Sequence, residues 1–256
     1  MDLILTDTSE GVRLITLNRP EKKNAFNSEM WRVLREAILA AREDPGVAVV
    51  VLTGAGGDFS AGVDLGSFGE NFEGPHPFES AIQALYAFDK PLLAAAQGVG
   101  VGFGATCLFH CDIVYVGESV RLRLPFVKLG LVPEAASSYT LQTVIGYQRA
   151  AELFFTAEWI DAAKAVETGI ALRAFPDSEL LDRTLDRARE IARFPVTALQ
   201  ATKRTLRAPH LDAIRAAHEA EQAGMLLQAG SPENIEAISA FVQKREPDFR
   251  NLPPRR

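Results

Sequence analysis

Apolar and polar residues change rhythm several times along the chain, and each rhythm predicts a different element. Residues 11–17, GVRLITL, alternate with the period of a half-buried strand, and NRP then stops it. From Ser28 to Arg42 the apolar residues recur at helical spacing, with Ser28 placed to cap the first turn. VAVVVLTGAG (47–56) opens on an unbroken apolar run rich in β-branched valines, the pattern of a strand buried on both faces. PLLAAAQGVGVGFGATCLFHCDIVYVG (91–117) reads as buried strand, glycine-rich turn, buried helix and a second strand. Beyond Glu134 helical spacing dominates, near 134–145, 147–155, 161–168, 177–193, 196–207, 209–229 and 232–243. Strands alternating with helices and then a helical tail predict an α/β core over 1–195 and a helical region over 196–256, with Pro195 at the boundary. The tail carries apolar faces (Ile214, Leu226, Leu227, Ile238, Phe241) that need cover from their own core or from a neighbouring subunit.

Composition narrows the class. The chain has 256 residues, 47% of them apolar, enough for a sizeable core. It holds no run of 18 or more apolar residues, and its first residues lack a basic-then-apolar leader, so a soluble cytoplasmic protein is expected. A net charge of −6 without a basic stripe argues against nucleic acid as the main partner, and an anionic ligand would need a local basic patch. Cys107 and Cys111 flank His110 in an apolar stretch without a third well-placed ligand, so buried thiols are expected rather than a metal site or disulfide. His76, His110, His210 and His218 show no spacing that pairs a base with a nucleophile.

The candidate chemistry lies in two glycine-rich loops and one carboxylate. GAGGDFSAGVDL (54–65) and GVGVGFGAT (98–106) each follow a buried strand. Neither meets the dinucleotide fingerprint, and no GK[ST] is present to make a Walker loop. Two such loops can instead bring backbone N–H groups together on one oxygen, because glycine permits close approach. Glu134 follows Pro133 in LGLVPEAASSYTL, so it reads either as an acid at a helix start or as a base aimed into a pocket.

The stretches LITLNRPEKKNAF (14–26), DFSAGVDL (58–65), KPLLAAAQGVGVGFGATCLFHCDIVYV (90–116), LPFVKLGLVPEAASSYTL (124–141) and FVQKR (241–245) together resemble the crotonase, or enoyl-CoA hydratase/isomerase, superfamily. The resemblance implies a spiral of ββα units with a C-terminal helical region that builds trimers, often paired into hexamers, and an acyl-CoA thioester as ligand. It places the two thioester-binding N–H groups on Val63 and Phe103, the latter a bulky residue where many members have glycine. Ala61, Gly62, Asp64 and Leu65 fall in the substrate loop, although Asp64 reads equally as a cap. Ser137, Ser138 and Tyr139 either bound the acyl pocket, orient Glu134, or are exposed first-turn residues. The resemblance places Phe126 at the acyl pocket and matches Phe241 and Lys244 to positions that contact CoA, while Lys22, Lys23, Lys244 and Arg245 read either as a local patch for the CoA phosphates or as solvated surface.

The two glutamates of the hydratases correspond here to Thr106 and Phe126, whereas Glu134 falls where Δ3,Δ2-enoyl-CoA isomerases of the peroxisomal type carry their base. Moving a double bond from the 3,4 to the 2,3 position needs one base and one oxyanion hole, and the resemblance supplies one of each. It implies no metal and no redox cofactor, since CoA arrives with the substrate. A hydratase-like or dehalogenase-like enzyme, or an acyl-CoA-binding scaffold without turnover, stand as the alternatives.

Overall fold

The computed structural model describes residues 2–64, 66 and 76–252. It has a six-stranded sheet in the order β1-β2-β3-β4-β6-β9 and a three-stranded sheet in the order β5-β7-β8. The strands are β1 (Ile4–Ser9), β2 (Val12–Leu17), β3 (Val49–Gly54), β4 (Leu92–Ala96), β5 (Val99–Val101), β6 (Ile113–Gly117), β7 (Arg121–Arg123), β8 (Ile160–Asp161) and β9 (Arg173–Phe175). β1 pairs antiparallel with β2, and from β2 to β9 every neighbour in the large sheet is parallel. After β3, β4 and β6 the chain passes to the small sheet, through Ser60 (bridged to Gly100), β5 and β7 in turn. Each pass adds one strand to the large sheet and one short segment to the small one, so the expected spiral of ββα units is what forms.

The helices are α1 (Ser28–Glu43), α2 (Pro77–Ala87), α3 (Phe103–Thr106), α4 (Ser137–Ile145), α5 (Tyr147–Thr156), α6 (Ala162–Thr168), α7 (Asp177–Ala192), α8 (Val196–Arg207), α9 (Leu211–Gln228) and α10 (Pro232–Val242). α1 buries Met30, Trp31, Leu34, Ile38 and Ala41 in one cluster with Ile82 and Leu85 of α2 and Val50 and Leu52 of β3. Val49 and Val51 pack on the opposite face with Leu93 and Ala188 of α7. β3 is therefore covered on both sides, which is why its sequence lacks alternation. Among the described residues no helix is long and apolar enough to cross a membrane.

Several expectations are corrected. The cap of α1 is Asn27, one residue before Ser28, and its side chain accepts from Met30 N. β1 was hidden because only Ile4 of its six residues is buried, and it forms by folding back on β2 through Glu10 and Gly11, both at positive φ. The buried helix after the second glycine loop is only α3, continued as a 3-10 turn over Cys107–His110. Most consequential, α4 begins at Ser137 and not at Glu134. Ala135 and Ala136 sit at φ 57 and 54, left-handed backbone that a right-handed helix cannot include.

Candidate active site

The two glycine-rich loops are zipped together by backbone hydrogen bonds: Phe59 N to Gln97 O, Ser60 N to Val99 O and Val101 N to Ser60 O. Two glycines make this approach possible. A Cβ on Gly104 would lie 2.1 Å from Ser60 O, and one on Gly62, at φ +84, would lie 2.4 Å from Val101 O. The same Cβ on Gly62 would be 3.4 Å from the Phe103 nitrogen, so the 62–63 loop runs directly beside the start of α3. Phe26 exchanges hydrogen bonds with Gly62 O and Asp64 N and skips Val63. Among the described residues neither the Val63 nor the Phe103 amide donates to protein, and both residues line one cavity of about 1190 Å³.

Buried polar groups support this loop pair from below. Asn24, fully buried, donates to Ala55 O and Asp58 O and accepts from Arg19 N. Arg19 Nη1 reaches Asp64 Oδ2 at 2.7 Å, and this guanidinium holds the Asp64 carboxyl below its ordinary range. Asp64 is therefore committed to the loop's own framework and is not among the cavity residues. Phe103 does not crowd the cavity as a bulky residue at its position suggests. The residue is 2% exposed, and its ring lies 4.5 Å centroid to centroid from Trp31 and 5.1 Å from Phe26, both edge-to-face.

Glu134 lies on the same cavity, in the turn ahead of α4. Thr106 Oγ1, at the end of α3, donates to its Oε1 at 2.6 Å, while its Oε2 is buried with no hydrogen-bond partner among the described residues. Burial pushes this carboxyl up to about 8, against the pull of the Thr106 hydroxyl, and the charges of Glu221 and Glu79 push the same way. The start of α4 is capped by another acid. Glu221 of α9, 6% exposed, accepts from Ala136 N at 2.6 Å and Ser138 N at 2.8 Å. The acceptor for this helix start thus comes from 85 residues away in sequence, and Glu134 Oε2 is left without a partner among the described residues.

Among the other expected site residues, Ala61, Phe126 and Phe241 line the cavity beside Val63. Gly62 shapes the loop without lining it, and Leu65 lies outside the described residues. Lys22, Lys23 and Lys244 are exposed and off the cavity, with Lys23 Nζ 3.5 Å from Asp58. Arg245 does reach the cavity and is paired with Glu236 at 2.9 Å. Ser137 is buried, Ser138 N serves Glu221, and Tyr139 OH contacts His210 Nδ1 at 2.9 Å. Sequence spacing missed Glu221, His218, Glu79, Arg123 and Trp159 of the cavity wall. His218 Nε2 meets Glu79 at 2.8 Å, and Arg123 lies over the Trp159 ring at 4.9 Å. These pairs join elements that no local pattern connects.

The family model described as enoyl-CoA hydratase/isomerase matches residues 7–252. The chain is 34% identical to the 2,3-dehydroadipyl-CoA hydratase of Escherichia coli (strain K12), over 98% of this chain and 99% of that protein. It is 31% identical to the enoyl-CoA delta isomerase 2 of Rattus norvegicus, covering 94% of this chain and 64% of that protein. The crystal structure of an enoyl-CoA hydratase/isomerase from Pseudoalteromonas atlantica T6c superimposes with a TM-score of 0.93 at 33% identity, over 97% of this chain and 100% of that one. With the family model matched over residues 7–252 and that fold superimposed over 97% of its length, the chain belongs to the enoyl-CoA hydratase/isomerase family.

Proposed function

We propose that this protein is an enoyl-CoA isomerase that moves a 3,4 double bond of an acyl-CoA thioester to the 2,3 position. The observation that carries the reading is the single buried, unbonded carboxylate oxygen of Glu134 on the cavity that the Val63 and Phe103 amides also line. Thr106 and Phe126 stand where hydration would want further carboxylates, and neither can take or give a proton as one does. Thr106 instead spends its hydroxyl on Glu134 Oε1.

In this mechanism ionised Glu134 takes a proton from C2 through Oε2. The C–H electron pair moves into the C1–C2 bond, and the thioester oxygen becomes an enolate oxygen that accepts from the Val63 and Phe103 N–H groups. The 3,4 π pair then takes the proton back from Glu134 to form the C4–H bond, the C1–C2 pair shifts to C2–C3, and the oxygen pair reforms the carbonyl. No water is added and no electron is lost, so the reaction draws on no metal or redox group. The exposed Lys22, Lys23 and Lys244, with Arg245 and Lys128 on the cavity, are the proposed contacts of the CoA phosphates. Leu226, Leu227 and Val242, each at least 73% exposed on α9 and α10, are the proposed interface of a homotrimer or a hexamer built from trimers.

The test is an assay with a 3-enoyl-CoA against a 2-enoyl-CoA. Conjugation of the first without hydration of the second is expected, and vigorous hydration of the second overturns the isomerase reading.

A further inference from the structure

The residues after Glu134 have a backbone that their side chains do not favour. Ala135 and Ala136 are consecutive non-glycine residues in the left-handed region, which persist only where the surroundings hold them. Two groups from separate elements hold them, and a third holds Glu134. His110 Nε2 meets Ala135 O at 2.6 Å, and because a carbonyl only accepts, that nitrogen carries the proton. Burial lowers His110 to about 4, which keeps it neutral and this tautomer fixed. Glu221 takes the Ala136 and Ser138 N–H groups, one on each oxygen. Thr106 fixes Oε1 of Glu134 itself.

We propose that Glu221 is a positioning residue for Glu134: from the middle of α9 it holds the two left-handed alanines in the turn that presents the Glu134 carboxyl to the cavity. The inference rests on the reading of Glu134 as the base. An ordinary helix start needs no such device, because a Ser, Thr, Asp or Asn at the cap supplies the acceptor locally. Here the cap position is Ala136, which has none, and the acceptor is a carboxylate brought into the interior from another helix. Burying that charge is costly, and two short charge-assisted bonds to a strained turn offset it. Because α9 also lines the cavity through His218 and Gln222, whatever displaces α9 displaces the turn that carries Glu134.

Glu221→Gln keeps the shape but leaves one acceptor, and its NH2 faces the other N–H. The expected result is a kcat about 10–100-fold lower with a 3-enoyl-CoA, the scale of a misplacement near 1 Å, with KM within about twofold. Ala136→Gly is the second variant. Glycine adopts φ 54 without strain, so alone it should leave kcat and the melting temperature level, and combined with Glu221→Gln it should restore part of the lost kcat. Rescue of the rate by a backbone that no longer needs holding is not what a purely structural cap gives. The control is Glu134→Gln. If it is inactive while Glu221→Gln runs at the wild-type kcat, or if Ala136→Gly restores nothing to Glu221→Gln, the positioning role is overturned and the base reading stands. If Glu134→Gln itself turns over at the wild-type rate, both fall.

Discussion

Replacing Glu134 by glutamine distinguishes a buried base from a helix cap by the sign of a stability change. The carboxyl rises from its ordinary 4.5 to about 8 on folding, chiefly through burial. The folded state therefore holds this proton more tightly than the unfolded chain does. The stability linked to it is fully present below pH 4.5 and is lost as pH climbs through about 8. Across that span of about 3.5 pH units, at about 1.4 kcal/mol each, the loss amounts to about 5 kcal/mol at most. Glutamine cannot ionise and keeps an oxygen for the Thr106 hydroxyl. Glu134→Gln should thus match the wild type in urea unfolding near about pH 4 and exceed it by about 2–5 kcal/mol near about pH 9. A cap would behave oppositely, losing about 0.3–1 kcal/mol where the acid is charged. On the catalytic side, wild-type kcat/KM should rise with pH to a midpoint near 8, since the base acts ionised, and the variant should lose about 10²–10⁴-fold. A stability difference that does not change with pH, or a wild-type kcat/KM that is level across the neutral range, would refute the reasoning.

Thr106→Val removes the hydroxyl that favours the ionised carboxylate, so the midpoint of the kcat/KM profile should move up by about 1–2 pH units, the worth of a hydrogen bond to a charged group; a profile that stays in place would mean that this contact does not bear on the base. Gly62→Ala puts a methyl 2.4 Å from Val101 O at a φ of +84, so calorimetry should show a loss of about 2–4 kcal/mol together with loss of turnover. A wild-type melt would show that the loops do not approach as closely as described.

By itself the sequence determined the elements that repeat their own signal. β3 is apolar without a break from Val49 to Leu52 and is covered on both faces, and α1 carries its apolar stripe at every turn. The glycine pairs of the two loops were legible because close backbone approach admits few other residues. The family motifs pointed to Glu134, Val63 and Phe103, all of which line the cavity. Only the tertiary structure decided what each of these could do. Pro133-Glu134 reads as a helix start until the left-handed alanines place the helix at Ser137. Asp64 reads as a pocket residue or a cap until Arg19, 45 positions earlier, claims its carboxylate. Glu221 has no neighbours in sequence that mark it, and its role exists only because α9 crosses the start of α4. Local patterns record which backbone shapes a segment prefers. Which carboxylate is left buried and unpaired depends on every polar group within a few ångströms, and those groups come from α3, α9 and the turn at His110, brought together only when the chain has folded.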